Sequence, residues 1–114
     1  MNKIPILNDS NNPMVSILIY NYDGQYLKQC LDRIFNQEIL TNFEIILIDD
    51  ATNDGSWDTA VEYSGNHPEV MTISRNKRFL GRIYNEKHCL RMAKGRYCAL
   101  LENDQAFLPE YIRS

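Results

Sequence analysis

Phe43-Glu44-Ile45-Ile46-Leu47-Ile48-Asp49-Asp50-Ala51-Thr52-Asn53-Asp54-Gly55-Ser56 is the stretch on which the fold turns. Residues 43–48, apolar but for Glu44, run directly into two carboxylates. A short apolar run of this kind marks a strand buried on both faces. Asn53-Asp54-Gly55 is turn chemistry, and Asp54 is placed to cap a helix over residues 56–64. Trp57, Ala60, Val61 and Ser64 share one face of that helix.

Working outward, residues 14–20 (Met-Val-Ser-Ile-Leu-Ile-Tyr) form another such run, broken by Asp23-Gly24. Between the two strands, Leu27, Cys30, Leu31, Ile34 and Phe35 recur at helical spacing and predict a helix over 25–37. Downstream, Asn66-His67-Pro68 stops the second helix, and residues 70–74 read as a third strand. Residues 76–81 form a loop. Residues 82–94 read as a helix with Gly95 as its C-cap. Residues 97–101 are a fourth strand, followed at once by Glu102-Asn103-Asp104, and 107–114 open a further element. Alternation of buried strands with helices predicts an α/β fold, a mostly parallel sheet with helices on both faces. Residues 1–13 are expected to form a flexible arm, and 14–114 one domain.

The 114 residues are 44% apolar and 24% charged, enough for a core. The net charge of -3 argues against a non-specific nucleic-acid binder. One basic cluster, Arg75, Lys77, Arg78 and Arg82, is either a solvated loop or a local attractor for phosphate. Cys30, Cys89 and Cys98 each lie in an apolar pattern without C-x-x-C spacing, so all three are expected to be small core residues of a reduced protein. No apolar run approaches the ~20 residues that cross a bilayer, and the polar N-terminus lacks the apolar stretch of a signal peptide. The expected location is cytoplasmic. No P-loop, G-x-G-x-x-G or G-x-S-x-G motif occurs.

Ligands of parallel sheets bind beyond the carboxyl ends of the strands. Tyr22 and Asp23 follow the first strand, Asp49 and Asp50 the second, and Glu102 and Asp104 the fourth. In extended backbone Glu102 and Asp104 point the same way. Two carboxylates side by side repel unless a cation compensates, and hard oxygen ligands suit Mg2+ or Mn2+. The alternative is an exposed polar turn. Asp49 and Asp50 can accept from a base N–H or ribose hydroxyl, or fix the turn with Thr52 and Asn53. Arg78 and Arg82, near a helix start, either fork onto phosphate oxygens or stand in solvent. Tyr22, Tyr26 and Tyr84 either stack on a base or pack.

These residues resemble a known family. Val15-Ser16-Ile17-Leu18-Ile19 with Tyr20-Asn21-Tyr22-Asp23 resembles the V-S-I-I-I-P-x-Y-N opening of family-2 glycosyltransferases. The stretch from Phe43 to Ser56 resembles F-E-I-I-V-V-D-D-G-S-x-D-G-T, and Leu80-Gly81 is similar to part of N-x-G-x-x-x-A-x-N. Ala93-Lys94-Gly95-Arg96-Tyr97-Cys98-Ala99-Leu100-Leu101-Glu102-Asn103-Asp104 is similar to A-x-G-x-Y-I-x-F-L-D-x-D, and Phe107-Leu108-Pro109-Glu110-Tyr111 to its continuation. The likeness runs in order and register over residues 13–112.

The resemblance implies a Rossmann-like GT-A fold that binds a nucleoside-diphosphate sugar, usually UDP-linked, with Mg2+ or Mn2+. Tyr22 would lie along the base, and Asp50 or Asp49 would hold uracil or ribose. Arg82 would supply positive charge for the nucleotide, Glu102 and Asp104 would stand at the D-x-D, and Asp104 would be the main metal ligand. The acceptor would be a glycan or a lipid-linked sugar, in polysaccharide assembly, with the whole protein peripheral to the inner face of the membrane. Several positions depart from the family. Tyr20 replaces Pro, Asp23 replaces Asn, and Glu102 replaces the first Asp of D-x-D. Glu86 and Lys87 stand where the family often has Arg and Asn. The family's general base lies in the acceptor half, past residue 114, so no catalytic residue is assigned. The 114 residues alone are expected to bind nucleotide weakly, to transfer no sugar, and to self-associate through an exposed sheet edge.

Two other readings compete. A signalling receiver domain would carry an acidic pair after strand one and an Asp after strand three, where this chain has Tyr20-Asn21 and Ser74-Arg75. An inert nucleotide-binding or assembly module of the same fold would tolerate Tyr20, Glu86 and Glu102.

Overall fold

The computed structural model describes residues 13–37 and 41–102. The order is β1 (Val15–Asn21), a 3-10 turn (Gly24–Tyr26), α1 (Leu27–Asn36), β2 (Phe43–Asp49), α2 (Ser56–Asn66), β3 (Met71–Arg75), α3 (Arg82–Met92) and β4 (Tyr97–Glu102). All strand pairs are parallel, in the order β3-β2-β1-β4. Every residue of β1 is buried, the polar Ser16 and Asn21 included, as expected of a strand covered on both faces.

Handedness decides which helix covers which face. The steps from β1 to β2 and from β2 to β3 run in one direction, so right-handed crossovers put α1 and α2 on the same face. There Leu27, Cys30, Leu31, Ile34 and Ala60 meet Ile17, Ile19, Ile45, Leu47 and Leu101. The chain then passes back to add β4 beyond β1, and the same handedness sends α3 to the opposite face. There Cys89, with Met92 and Ala93 beside it, meets Leu18, Ile46 and Ile48. Each fully buried Ile or Leu contributes roughly 1.5–3 kcal/mol.

Several expectations are corrected. Cys98 is exposed, whereas Cys30 and Cys89 are buried. The cause is that α3 packs over β1 and β2 and leaves the corresponding face of edge strand β4 open. Burial pushes the Cys89 thiol up to about 12, which makes it inert. Val61 is exposed; α2 turns Ser56 and Ala60 inward, with Trp57 and Tyr63 against the core. Gly95 does not cap α3 in a left-handed conformation. Ala93 is the C-cap, in extended backbone, and its N–H bonds the carbonyls of Cys89 and Leu90. Gly95 serves close approach instead: a Cβ there would lie 2.6 Å from the Ser16 nitrogen and 2.8 Å from the Val15 carbonyl carbon.

That approach belongs to a buried polar knot at the amino end of the sheet. Glu44, 9% exposed, accepts from Ser16 Oγ and from the Lys94 N–H, each at 2.6 Å. Ser16 Oγ in turn accepts from the Gly95 N–H at 2.8 Å. The knot ties the α3–β4 connection to β1 and β2 and leaves the opposite end of the sheet for function.

Candidate functional site

β1 neighbours β2 on one side and β4 on the other, so strand order reverses at β1. The carboxyl ends around that reversal are where open α/β sheets take ligands. Tyr20, Asn21, Asp49, Arg75 and Glu102 all stand at this end, in register.

The two adjacent aspartates of β2 face different surroundings. Asp49 is fully enclosed. Its Oδ1 accepts from Asn21 Nδ2 at 2.8 Å and Thr52 Oγ1 at 2.7 Å. Its Oδ2 accepts from the Thr52 N–H at 3.1 Å, with Arg75 Nε 3.4 Å away. Arg75 also donates to the Thr52 carbonyl at 2.6 Å and lies over the Trp57 ring. Asp49 therefore fixes the turn after β2, one of the two roles open to it in the sequence.

Asp50 faces the loop between β3 and α3. Its Oδ1 accepts from Asn76 Nδ2 at 3.0 Å and the Leu80 N–H at 2.8 Å. Its Oδ2 accepts from the Tyr20 hydroxyl at 2.7 Å and the Gly81 N–H at 2.9 Å. Burial alone would raise this carboxyl, but the bonds from Asn76, Tyr20, Leu80 and Gly81 outweigh it and hold its pKa below the ordinary carboxylate value. Burial and the Asp50 partnership raise the Tyr20 phenol well above its usual range. The backbone donors ahead of α3, which the sequence offers to a phosphate, are thus taken by a carboxylate of the chain itself. Gly81, at φ 92, permits the turn that aims both N–H groups.

Between these aspartates and the loops lies an open cleft of about 480 Å³, lined by Tyr22, Asp23, Asp50, Ala51, Thr52, Asn53, Asp54 and Phe79. Asp54 braces it by accepting from the Gly24 N–H at 2.9 Å and the Ser56 N–H at 3.0 Å. Gly55 occupies the N-cap of α2, so the Asp54 side chain serves the helix from one residue further out. Ala51 sits at φ 60, the only non-glycine with positive φ among the described residues. A left-handed residue with a Cβ costs roughly 1–2 kcal/mol, partly offset in Ala→Gly exchanges by the looser unfolded chain. Ala51→Gly should stabilise the protein by about 0.5 kcal/mol, read as a higher urea midpoint at constant m.

Tyr22 and Asp50, singled out in the sequence, thus line one cleft, whereas Asp49 does not line it and is bonded to Thr52, which does. Arg82, the first residue of α3, does not line it: the guanidinium lies 5.3 Å from the Tyr20 ring centre and 3.2 Å from Glu86. Glu102 ends β4 in register with Tyr20. Asp104 lies outside the described residues, as does the arm over residues 1–12. Sequence reasoning missed Asn76, Phe79 and the Tyr20 hydroxyl. An exposed Phe in the polar run Asn76-Lys77-Arg78 was a usable signal for the second. The first and third depended on knowing the loop's path. Among the described residues, no group of three or more His, Cys, Asp or Glu is arranged to hold a metal. Nor is any helix among them long and apolar enough to cross a membrane.

A family model described as glycosyl transferase family 2 matches residues 14–114. The chain is 29% identical to the uncharacterized glycosyltransferase MJ1057 of Methanocaldococcus jannaschii, over 92% of this chain and 37% of that protein. Its fold is similar to that of the mannosyltransferase PcManGT from Pyrobaculum calidifontis in complex with GDP-Man and Mn2+. The TM-score is 0.74 at 20% identity, over 86% of this chain and 29% of that one. It is also similar to S. aureus TarS 1-349 in complex with UDP-GlcNAc, at a TM-score of 0.66 and 21% identity over 79% of this chain and 26% of that one. The chain therefore spans little more than a third, or less, of these proteins.

Proposed function

The chain belongs to glycosyl transferase family 2, and from that premise we propose that residues 14–114 bind the nucleoside-diphosphate sugar for transfer to a hydroxyl acceptor by a longer protein. The observation that carries this reading is the cleft at the carboxyl end of the parallel sheet, which Tyr22 and Asp50 line together. A half-exposed aromatic over a polar floor is what a base with its ribose needs. Arg82, over the ring of the Tyr20 that donates to Asp50, adds positive charge behind the acidic lining. Similarity to proteins solved with GDP-Man and with UDP-GlcNAc supports a nucleotide-sugar donor and leaves the base open between them. A UDP-sugar remains our choice, from the sequence resemblance.

Glu102 at the end of β4 and Asp104 two residues on provide oxygen-only donors, the set that suits Mg2+ or Mn2+. Such an ion would neutralise charge on the departing nucleoside diphosphate. Asp104 keeps the shorter acid of the D-x-D and is our principal ligand. The general base and the glycan or lipid-linked acceptor belong to the rest of the longer protein. A cytoplasmic site of action at the inner membrane face, and self-association through the β3 or β4 edge, complete the proposal.

Titrating the chain with UDP and with GDP, with and without Mn2+, tests it. Saturable binding that Mn2+ tightens, with amide NMR shifts at Tyr22, Asp50 and Ala51, is expected. No binding of either nucleotide at millimolar concentration in the presence of Mn2+ would overturn the donor reading in favour of an inert module.

A further inference from the structure

Phe79 and Tyr22 come from different loops and face each other across the cleft. Their ring centroids are 5.2 Å apart and their planes are inclined by 60°. Phe79 is 58% exposed and Tyr22 59%, and both line the cleft above Asp50. Tyr20 neighbours Tyr22, its ring nearly parallel at 6.4 Å. Two large rings left in water at the mouth of a polar cleft contribute little to the core. Together they make an apolar corner in the lining of the cleft.

The position of Phe79 is not left to chance. Asp50 grips its loop on both sides, through the Asn76 side chain before it and the Leu80 and Gly81 N–H groups after it. With the Tyr20 hydroxyl these make four donors on one carboxylate.

Resting on the donor-binding reading above, we infer that Phe79 contacts the nucleobase. With Tyr22 it forms a two-ring corner, and Asp50 positions Phe79 through the loop that carries it. A base lies flat on one ring and edge-on to the other, both favourable aromatic arrangements. Because every base has a π-face, the corner supplies affinity, and base choice rests on the polar lining.

The test uses the 114-residue chain with UDP and GDP, on whichever binds more tightly. Phe79→Ala should weaken binding about tenfold and leave the melting temperature unchanged, because Phe79 lies outside both cores. Phe79→Trp should restore affinity. A nuclear Overhauser contact between the Phe79 ring and the base protons of the bound nucleotide is expected. An unchanged Kd in Phe79→Ala, or a missing Overhauser contact, overturns the inference while leaving the donor reading intact. Failure of the unaltered chain to bind either nucleotide removes the donor reading and this inference with it.

Discussion

Asp49→Ala should lower the unfolding free energy by about 3–5 kcal/mol, a large share of the ~5–15 kcal/mol a domain of this size possesses. The carboxylate is wholly enclosed and every neighbour is a donor: the Asn21 amide, the Thr52 hydroxyl and N–H, and Arg75. Removing it strands the Thr52 N–H in the interior at roughly 1–3 kcal/mol and forfeits charge-assisted bonds as well. Asn21 and Thr52 keep a second partner in Ser56 Oγ, which limits the damage. Asp49→Asn should not rescue, because an NH2 group would then face donors. Urea titration at constant m reads the effect, and Asp58→Ala, on the exposed first turn of α2, is the control, expected within about 0.5 kcal/mol. A loss below about 1 kcal/mol in Asp49→Ala would contradict this account of the turn.

Gly95→Val should cost about 3 kcal/mol. Its Cβ would meet the Ser16 nitrogen and the Val15 carbonyl carbon, both backbone atoms of the central strand that cannot swing aside. Relief requires moving Gly95 outward, which breaks its bond to Ser16 Oγ and pulls the Lys94 N–H away from Glu44. Gly65 provides the contrast. It lies within α2 with nothing within 4 Å of an added Cβ, so Gly65→Ala should gain about 0.5–1 kcal/mol. Paired thermal melts of the two variants should therefore move in opposite directions.

The architecture was legible because its determinants are periodic. Largely apolar runs announced β1 and β2, and spacing at three and four residues announced α1. The carboxyl-end gathering of Tyr22, Asp49 and Asp50 followed from topology alone. The division of labour between Asp49 and Asp50 was not legible. Adjacent residues on a strand point to opposite faces, and which face meets the β3–α3 loop depends on where α3 lies. Glu44 and Ser16 were hidden for a related reason: each sits inside an apolar run, and only their pairing across β1 and β2 makes burial tolerable. Gly95 was misassigned because a glycine after a helix reads as a cap, whereas a close approach to another strand leaves no local mark. Ala51 was readable in principle: the motif it resembles carries glycine there, and the positive φ explains why.

The placement of β4 governs how the protein assembles itself. Val15 meets Phe43 along one edge of β1, after a short detour of chain, but meets Tyr97 along the other only after a much longer one. Closing the shorter loop first is entropically cheaper. During synthesis, therefore, β1 waits with one row of amides and carbonyls unsatisfied until the ribosome has delivered β4. In that interval it is a ready template for the same strand of a neighbouring nascent chain. Ser16, which receives Gly95 on arrival, sits where that vigil ends.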